Sequence, residues 1–308
     1  MLLQYEKYPF TPQLGWSLSR YEMFDKCKRM YYYSYYGKYV VGVPPYKMKM
    51  LRDLTSVPLE IGNVVHDVLE AFLRRLQKDD SNIDEARFGE YAMAKAREYF
   101  SRKTFIETYY RQSETICMET VEKRIKTCLD NFCASPVYTW LFMNAIRTKE
   151  NWMIEPDGYG ETRIRGVKAY CKMDFLFPVD DCVYILDWKT GKKDEYKHRA
   201  QLIGYATAAS VNFNIPVSVI VPKIVYLYPA FEEMELRFDQ SLFDEFSERV
   251  VRQYHEMLSY CASVPENIPR PAADFKPSPS PALCRTCNYQ ELCFPDIKKA
   301  GTDAGFDE

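Results

Sequence analysis

The spacing of apolar residues changes once along the chain, and this change constrains the fold more than any other feature. Up to about residue 144 apolar side chains recur at helical spacing, whereas from residue 161 onward β-branched and aromatic residues gather in short runs. The predicted order is therefore helices, hairpin, helix, strands, helix. This order predicts an α/β protein, in which a central sheet is flanked by helices and a helical lobe precedes the core.

Turn and capping residues delimit the predicted elements. We predict helices over residues 17–36, 61–76, 83–144 with a break at Pro136, 194–212 and 241–262. Strands are predicted over residues 161–177 and 182–189, joined as a hairpin, and over 217–228 and 233–238. Residues 42–58 are predicted to be a loop and residues 265–281 an extended segment. The predicted regions are 1–60 (N-terminal helix and loop), 61–150 (helical lobe), 151–263 (core) and 264–308 (C-terminal cysteine region).

Charge and hydropathy exclude two broad classes of protein. The formal net charge is −2, from 41 Lys and Arg against 43 Asp and Glu, which argues against a uniformly basic surface but not against a narrow basic channel. No run of about 18 uncharged apolar residues occurs, so no membrane span is predicted. Residues 1–8 include Glu6 and Lys7 and no extended apolar run, so we predict no secretory signal and a cytoplasmic location.

Two carboxylates and a lysine have a spacing that suits phosphodiester chemistry. Asp174 is followed thirteen positions later by Asp187-Trp188-Lys189. On a strand Asp187 and Lys189 point to the same face, and the neighbouring strand can bring Asp174 alongside. Carboxylates suit Mg²⁺ or Mn²⁺, and a lysine can orient an attacking water. The spacing alone is also compatible with a solvated hairpin that carries a surface salt bridge.

Three further polar residues are candidates for the same site. Gln201 and Tyr205 are four positions apart and share one face of a predicted helix, from which they can point back at the strand ends. They suit contacts to phosphate or to a metal-bound water, and a polar edge on a surface helix is the alternative. His66 lies on an apolar-striped helix, where a histidine is commonly a satisfied core residue. Near the acidic pair it is also a candidate metal ligand.

Three of the ten cysteines are clustered. Cys284, Cys287 and Cys293 form C-x₂-C-x₅-C, a spacing that indicates a bound metal or cluster. The candidate fourth ligand is Cys27. Four sulfur ligands suit zinc as well as an iron–sulfur cluster, so the spacing leaves both open. Most of the other cysteines are predicted to be small buried side chains without disulfides.

Aromatic and basic residues offer candidate nucleic-acid contacts. Residues 31–39 contain six tyrosines, which either stack on unpaired bases or bury their rings against the core, and burial is the favoured interpretation. Candidate phosphate contacts, which are equally compatible with solvated surface, are Lys47, Lys49, Lys192, Lys193, Lys197 and Arg199.

Together these motifs resemble the RecB-type branch of the PD-(D/E)XK nucleases, which includes the nuclease domains of RecB and AddB and the CRISPR-associated iron–sulfur exonucleases. The matching motifs, in family order over residues 62–206, are G-N-V-V-H-D-V-L-E, K-M-D-F-L-F, I-L-D-W-K-T-G-K and A-Q-L-I-G-Y-A. The N-terminal S-L-S-R-Y-E-M-F-D-K-C-K-R-M-Y-Y is also similar to the family's opening, which extends the resemblance to residues 17–295.

The resemblance implies a restriction-endonuclease-like core and a role for each motif residue. It implies that His66, Asp174 and Asp187 hold the catalytic metal and that Lys189 is the catalytic lysine. Gln201 and Tyr205 match the family's Q-x₃-Y motif. The implied ligands of a [4Fe–4S] cluster, which we predict to be a structural staple between the two ends of the chain, are Cys27, Cys284, Cys287 and Cys293.

The implied activity is that of a Mg²⁺- or Mn²⁺-dependent deoxyribonuclease, acting as an exonuclease or in DNA end processing on single strands or duplex ends. The implied settings are recombination, repair or CRISPR-type adaptation. The chain has no Walker A motif, so a helicase motor would come from a partner. Three alternatives stay open: a subunit that depends on a helicase or integrase, a catalytically silent DNA-binding scaffold, and an RNA substrate.

Overall fold

The computed structural model describes residues 8–79, 84–155 and 160–296. Residues 1–7, considered above for a secretory signal, and Ile83, the predicted start of a helical stretch, lie outside the described residues. The α-helices are α1 (Leu18–Lys26), α2 (Lys28–Tyr36), α3 (Pro45–Arg52), α4 (Val57–Lys78), α5 (Glu85–Arg102), α6 (Ile106–Tyr109), α7 (Met118–Cys133), α8 (Pro136–Met143), α9 (Glu195–Phe213), α10 (Gln240–Leu258), α11 (Pro281–Arg285) and α12 (Gln290–Cys293). None of these described helices combines the length and apolarity that a membrane crossing requires.

A five-stranded mixed sheet forms the centre of the protein. The strands are β1 (Met153–Ile154), β2 (Glu161–Ile164), β3 (Val167–Tyr170), β4 (Phe175–Val179), β5 (Cys182–Lys189), β6 (Ile220–Tyr226), β7 (Glu232–Glu235), β8 (Cys261–Ser263) and β9 (Ile268–Pro269). The sheet order is β1-β4-β5-β6-β7. β5 and β6 are parallel, with α9 as their crossover, and the other neighbouring pairs are antiparallel.

Helices cover both faces of the sheet, so the predicted α/β architecture with a mixed sheet is confirmed. Alternation along β5 sends Ile185 to one face, where it packs in a core with α1, α2, α9 and α10. Leu186 and Trp188 point to the other face and pack against α4, α5, α7 and α8. The helical stretch that precedes the core thus supplies one of the two layers over the sheet. The division into four regions stays a prediction.

The structure corrects several predicted elements. The first predicted helix is two helices, because Cys27 has extended backbone (φ −159°, ψ 108°) and separates α1 from α2. The predicted strand over residues 161–177 is three strands: β2 and β3 form a hairpin of their own, and β4 pairs with β5. The predicted loop over residues 42–58 contains α3. This helix begins with Pro45, and the first position of a helix is one that proline suits. The helical stretch predicted over residues 83–144 is also interrupted between Arg102 and Met118, and the last long helix ends at Leu258 because Cys261–Ser263 is a strand.

Other predicted elements are confirmed. α4 contains the predicted residues 61–76, and α9 begins with the predicted cap, the Asp194 side chain accepting a hydrogen bond from the backbone of Lys197. Pro136 begins α8 after the predicted break. The favoured interpretation of the tyrosine-rich segment is also confirmed, since the rings of Tyr31, Tyr32, Tyr33 and Tyr36 are buried in the core.

Candidate active site

The hairpin of β4 and β5 brings the two predicted acidic residues together. Phe175 pairs with Leu186, so Asp174, one residue before β4, lies beside the end of β5 that carries Asp187. The backbone N–H of Trp188 donates a hydrogen bond of 3.0 Å to Asp174 Oδ2. This hydrogen bond holds the carboxylate of Asp174 against the end of β5. Asp187 is 1% exposed, so the site lies at the floor of a cleft.

Lys189 and Asp187 lie on the same face of β5, as the two-residue period of a strand requires. The ammonium of Lys189 forms an ion pair with Asp187 Oδ2. The residue between them, Trp188, points to the opposite face and packs edge-on against Phe132 of α7, with ring centroids 5.5 Å apart. Burial of this indole therefore orients the carboxylate and the ammonium toward the cleft.

His66 reaches the same strand end from α4. Its Nδ1 lies 3.3 Å from Asp174 Oδ2, and its Nε2 lies 2.9 Å from the carbonyl oxygen of Trp188. Burial by itself lowers the pKa of the imidazole, but the carboxylates of Asp174 and Asp187 outweigh it and raise the pKa of His66 to about 9. The candidate metal ligand predicted on α4 thus lies in contact with the predicted acidic site.

Glu155, which the sequence analysis missed, belongs to this group. Within the described residues, ligand atoms of His66, Glu155 and Asp174 all lie within 4.8 Å of one another. Glu155 directly follows β1, and its backbone N–H donates a 2.9 Å hydrogen bond to the carbonyl of Asp174. In the sequence Glu155 is only an acidic residue after a short apolar run. It was missed because the β2–β3 hairpin separates it from Asp174 along the chain.

The two predicted aspartates have opposite electrostatic environments. Burial raises the pKa of Asp174, but the neighbouring His66 and Lys189 outweigh it, so the pKa is lowered overall. Burial and then the charge of Asp174 raise the pKa of Asp187. Asp187 Oδ2 is buried and is paired with the ammonium of Lys189, although that contact is not a well-aligned hydrogen bond. A buried carboxylate oxygen of this kind suits a cation.

Gln201 and Tyr205 point back from α9 to the end of β5, as their spacing predicts. Gln201 Nε2 donates to the hydroxyl of Tyr205, which in turn donates a 3.0 Å hydrogen bond to Asp187 Oδ1. Burial and then the charge of Asp187 hold the pKa of Tyr205 well above its usual range, so the hydroxyl stays a donor. This chain of hydrogen bonds fixes the rotamer of Asp187.

Two cavities lie on either side of Lys189. One of about 450 Å³ is lined by His66, Asp174 and Glu155, and the other of about 640 Å³ is lined by Gln201 and Tyr205. A buried histidine not singled out in the sequence, His198, lines the second cavity, where burial and the charge of Lys189 lower its pKa to about 4. His198 is therefore neutral near pH 7.

The model of the PD-(D/E)XK nuclease superfamily matches residues 15–294, which is most of the chain. The chain belongs to this superfamily. The mixed sheet with its flanking helices is accordingly a restriction-endonuclease-like PD-(D/E)XK fold, as predicted, and superfamily membership implies a metal-dependent nuclease. A search of curated proteins found no match.

This PD-(D/E)XK protein brings its four candidate cluster ligands to one place. Cys27, Cys284, Cys287 and Cys293 line a single cavity of about 140 Å³, whose walls are largely apolar. Burial and then the neighbouring thiols raise the pKa of the Cys287 thiol to about 12. The four thiols therefore face one enclosed space, although the described residues do not include them in a group whose ligand atoms all lie within 4.8 Å of one another.

Proposed function

We propose that this protein is a Mg²⁺- or Mn²⁺-dependent deoxyribonuclease that processes DNA ends, as an exonuclease on single strands or frayed duplexes. The observation that carries the proposal is the convergence of two aspartates, a histidine and a lysine from α4, β5 and the residue before β4, beside a cavity that His66, Asp174 and Lys189 line. A lysine beside buried carboxylates is the arrangement that phosphodiester hydrolysis needs.

The residues present fit a divalent cation. His66, Asp174 and Glu155 offer clustered ligand atoms, and Asp187 adds a buried carboxylate that is paired with the ammonium of Lys189. We propose that these four residues hold Mg²⁺ or Mn²⁺, since both ions prefer oxygen ligands and accept imidazole. When bound, the ion neutralises charge on the scissile phosphate and makes its bound water more acidic.

The remaining site residues have roles that follow from their contacts. Lys189 is half-buried and lines both cavities, so its ammonium can orient the attacking water and stabilise charge on the phosphate. Tyr205 and Gln201 hold Asp187 through their hydrogen bonds. Their predicted contact with phosphate stays part of the proposal, because both also line the larger cavity.

The four cysteines are proposed to hold a [4Fe–4S] cluster. Their thiols line one cavity, and thiolates are the usual ligands of such clusters. Four thiolates also suit a tetrahedral zinc site with Zn–S bonds of about 2.3 Å, which is the alternative assignment. Elemental analysis and the visible spectrum of anaerobically purified protein test this assignment.

The deciding experiment measures cleavage of end-labelled DNA by wild type, Lys189→Ala and Lys78→Ala, with Mn²⁺, Mg²⁺ or EDTA. Lys78 is an exposed lysine at the far end of α4, which makes it a matched control. We expect metal-dependent cleavage by wild type and Lys78→Ala and a loss of about 10²-fold or more in Lys189→Ala. Equal activity of Lys189→Ala and wild type would contradict the proposed mechanism.

The same experiment tests which nucleic acid is the substrate and whether cleavage requires a partner protein. Single-stranded DNA, blunt duplex and RNA are assayed in parallel, with both ends labelled in turn, so substrate and polarity are read directly. If folded wild type that carries its cluster cleaves none of these substrates, autonomous nuclease activity is contradicted. The outcome would instead favour a subunit activated by a helicase or an integrase, or a catalytically silent DNA-binding scaffold.

A further inference from the structure

The two cavities beside Lys189 adjoin each other. They share four lining residues: Leu59, Lys172, Lys189 and Gly191. A single elongated cleft therefore crosses the candidate active site, from the group of His66, Asp174 and Glu155 on one side to Tyr205 and Gln201 on the other. A chain of linked phosphates that reaches Lys189 has to continue into both cavities.

Leu59 lies at the junction of the two cavities. It is in the first turn of α4, seven residues before His66, so both residues lie on one face of the helix. The side chain is 57% exposed, although it lines both cavities together with Lys172 and Lys189. Single exposed apolar side chains are ordinary on protein surfaces, as Val41 and Met143 are here. What distinguishes Leu59 is its position across the cleft from Lys189.

We propose that Leu59 is a wedge that inserts between two bases of an unpaired DNA strand as the strand crosses Lys189. This inference rests on the proposed function and names a specificity-determining residue for it. Aliphatic side chains unstack neighbouring bases when they enter between them, and the cost is offset by better access to the backbone. Unstacking at Leu59 would turn the phosphate between those bases toward the cleft floor.

Burial of the catalytic groups favours one strand over a duplex. Asp187 is 1% exposed and the side chain of Lys189 is 18% exposed, so the scissile phosphate must enter the cleft to reach them. Lys172 adds a half-exposed cation at the junction, beside Glu155, and can meet the phosphate backbone. An unpaired strand can bend into such a cleft, whereas a duplex carries its complementary strand with it.

The first test measures unstacking without cleavage. A single-stranded oligonucleotide that contains 2-aminopurine is bound to the Lys189→Ala protein in Ca²⁺, and the fluorescence rise reports unstacking. The same measurement is made on three double variants, in which Lys189→Ala is combined with Leu59→Ala, Leu59→Met or Met143→Ala. We expect the rise to persist with Leu59→Met and with the control Met143→Ala and to fall by at least half with Leu59→Ala. Equal fluorescence in all four proteins would overturn the proposal.

The second test uses active protein with Leu59 as the only change. On an oligodeoxyadenylate strand we expect kcat/KM of Leu59→Ala to fall about tenfold, which corresponds to about 1.4 kcal/mol of lost transition-state stabilisation. On the same strand with abasic residues the loss should disappear, because no bases need to be unstacked. A loss of equal size on both substrates would mean that Leu59 has a different role.

The two proposals fail differently. If no substrate is cleaved by wild type, or if Lys189→Ala cleaves as well as wild type, the proposed function fails. If cleavage depends on Lys189 but Leu59→Ala behaves like Met143→Ala on every strand, the nuclease stands and the wedge is wrong. Leu59→Met keeps the apolar side chain and shows whether a defect in Leu59→Ala comes from the lost wedge or from a disturbed helix.

Discussion

Glu155 has a left-handed backbone conformation, with φ +35°, immediately after β1. Such a conformation costs a residue other than glycine about 1–3 kcal/mol and persists only where its surroundings hold it. Two contacts hold Glu155 in this conformation. Its backbone N–H donates a hydrogen bond to the carbonyl oxygen of Asp174, and Lys172 Nζ lies 2.6 Å from Glu155 Oε2. The conformation aims the carboxylate at His66 and Asp174.

We therefore predict that Glu155→Gln weakens Mn²⁺ binding by at least about tenfold, because a charged oxygen ligand becomes a neutral one. Isothermal titration of the two proteins with Mn²⁺ measures the change. Glu150→Gln, an exposed neighbour in sequence, is the matched control and should bind Mn²⁺ like wild type. Unchanged affinity in Glu155→Gln would mean that Glu155 pairs with Lys172 and does not contact the ion.

The pKa of His66 determines how the stability of the metal-free protein depends on pH. The pKa is raised from 6.5 to about 9 in the folded protein, because the carboxylate of Asp174 outweighs burial. The protonated imidazole therefore stabilises the fold fully below pH 6.5, and this contribution is lost as the pH rises through about 9. Denaturant unfolding in EDTA at a series of pH values measures the decline, which His66→Gln should flatten.

At the scale of elements, α7 stabilises the end of β5 beside the catalytic lysine. Arg124 Nη2 donates a 2.8 Å hydrogen bond to the carbonyl of Thr190, the residue after Lys189. Its guanidinium also lies 4.5 Å from the centre of the Tyr228 ring. The helical layer thus contacts the backbone of the active site directly.

Arg124→Met should lower the free energy of unfolding by about 1–3 kcal/mol, since the buried Thr190 carbonyl loses its charged donor. Chemical denaturation compares the variant with wild type and with Lys126→Met, an exposed change on the same helix. A loss no larger than that of Lys126→Met would show that solvent replaces the arginine at the carbonyl.

Cys27 connects two helices as well as lining the cysteine cavity. It ends α1 with a backbone hydrogen bond to Met23 and begins α2 with its Sγ accepting from the backbone of Met30. The start of α1 lines the larger cavity beside Lys189, and Cys27, which directly follows α1, lines the cysteine cavity. A single helix therefore links the candidate cluster site to the candidate cleavage site.

At the scale of the whole molecule, the proposed cluster joins the two ends of the described chain. A link between Cys27 and Cys284 closes a loop of about 257 residues, and by the chain-entropy scale for cross-links this is worth on the order of 5 kcal/mol. Cys287→Ser should therefore melt well below wild type or aggregate in anaerobic thermal denaturation, and it should lose visible absorbance. Cys117→Ser, which changes an exposed thiol, is the control. A Cys287→Ser protein that stays folded and fully active would rule out the structural role.

The sequence by itself determined the elements that depend on local pattern. Helical spacing predicted α4, Asp194 predicted the start of α9, and the two-residue period of a strand placed Asp187 and Lys189 on one face. The motif residues around β4 and β5 were predictable because the hairpin joins them over a short stretch of chain. The change from helical apolar spacing to runs of β-branched and aromatic residues, which is a local property, was sufficient to predict the α/β architecture.

Only the tertiary structure decided the relations between distant segments. The β2–β3 hairpin separates Glu155 from Asp174 in sequence, yet pairing of β1 with β4 brings both to one strand end. The break at Cys27 and the position of Leu59 between two cavities likewise depend on packing partners that are remote in sequence. Local patterns report which residues form helices and strands, whereas backbone pairing and burial across the sheet decide which side chains meet.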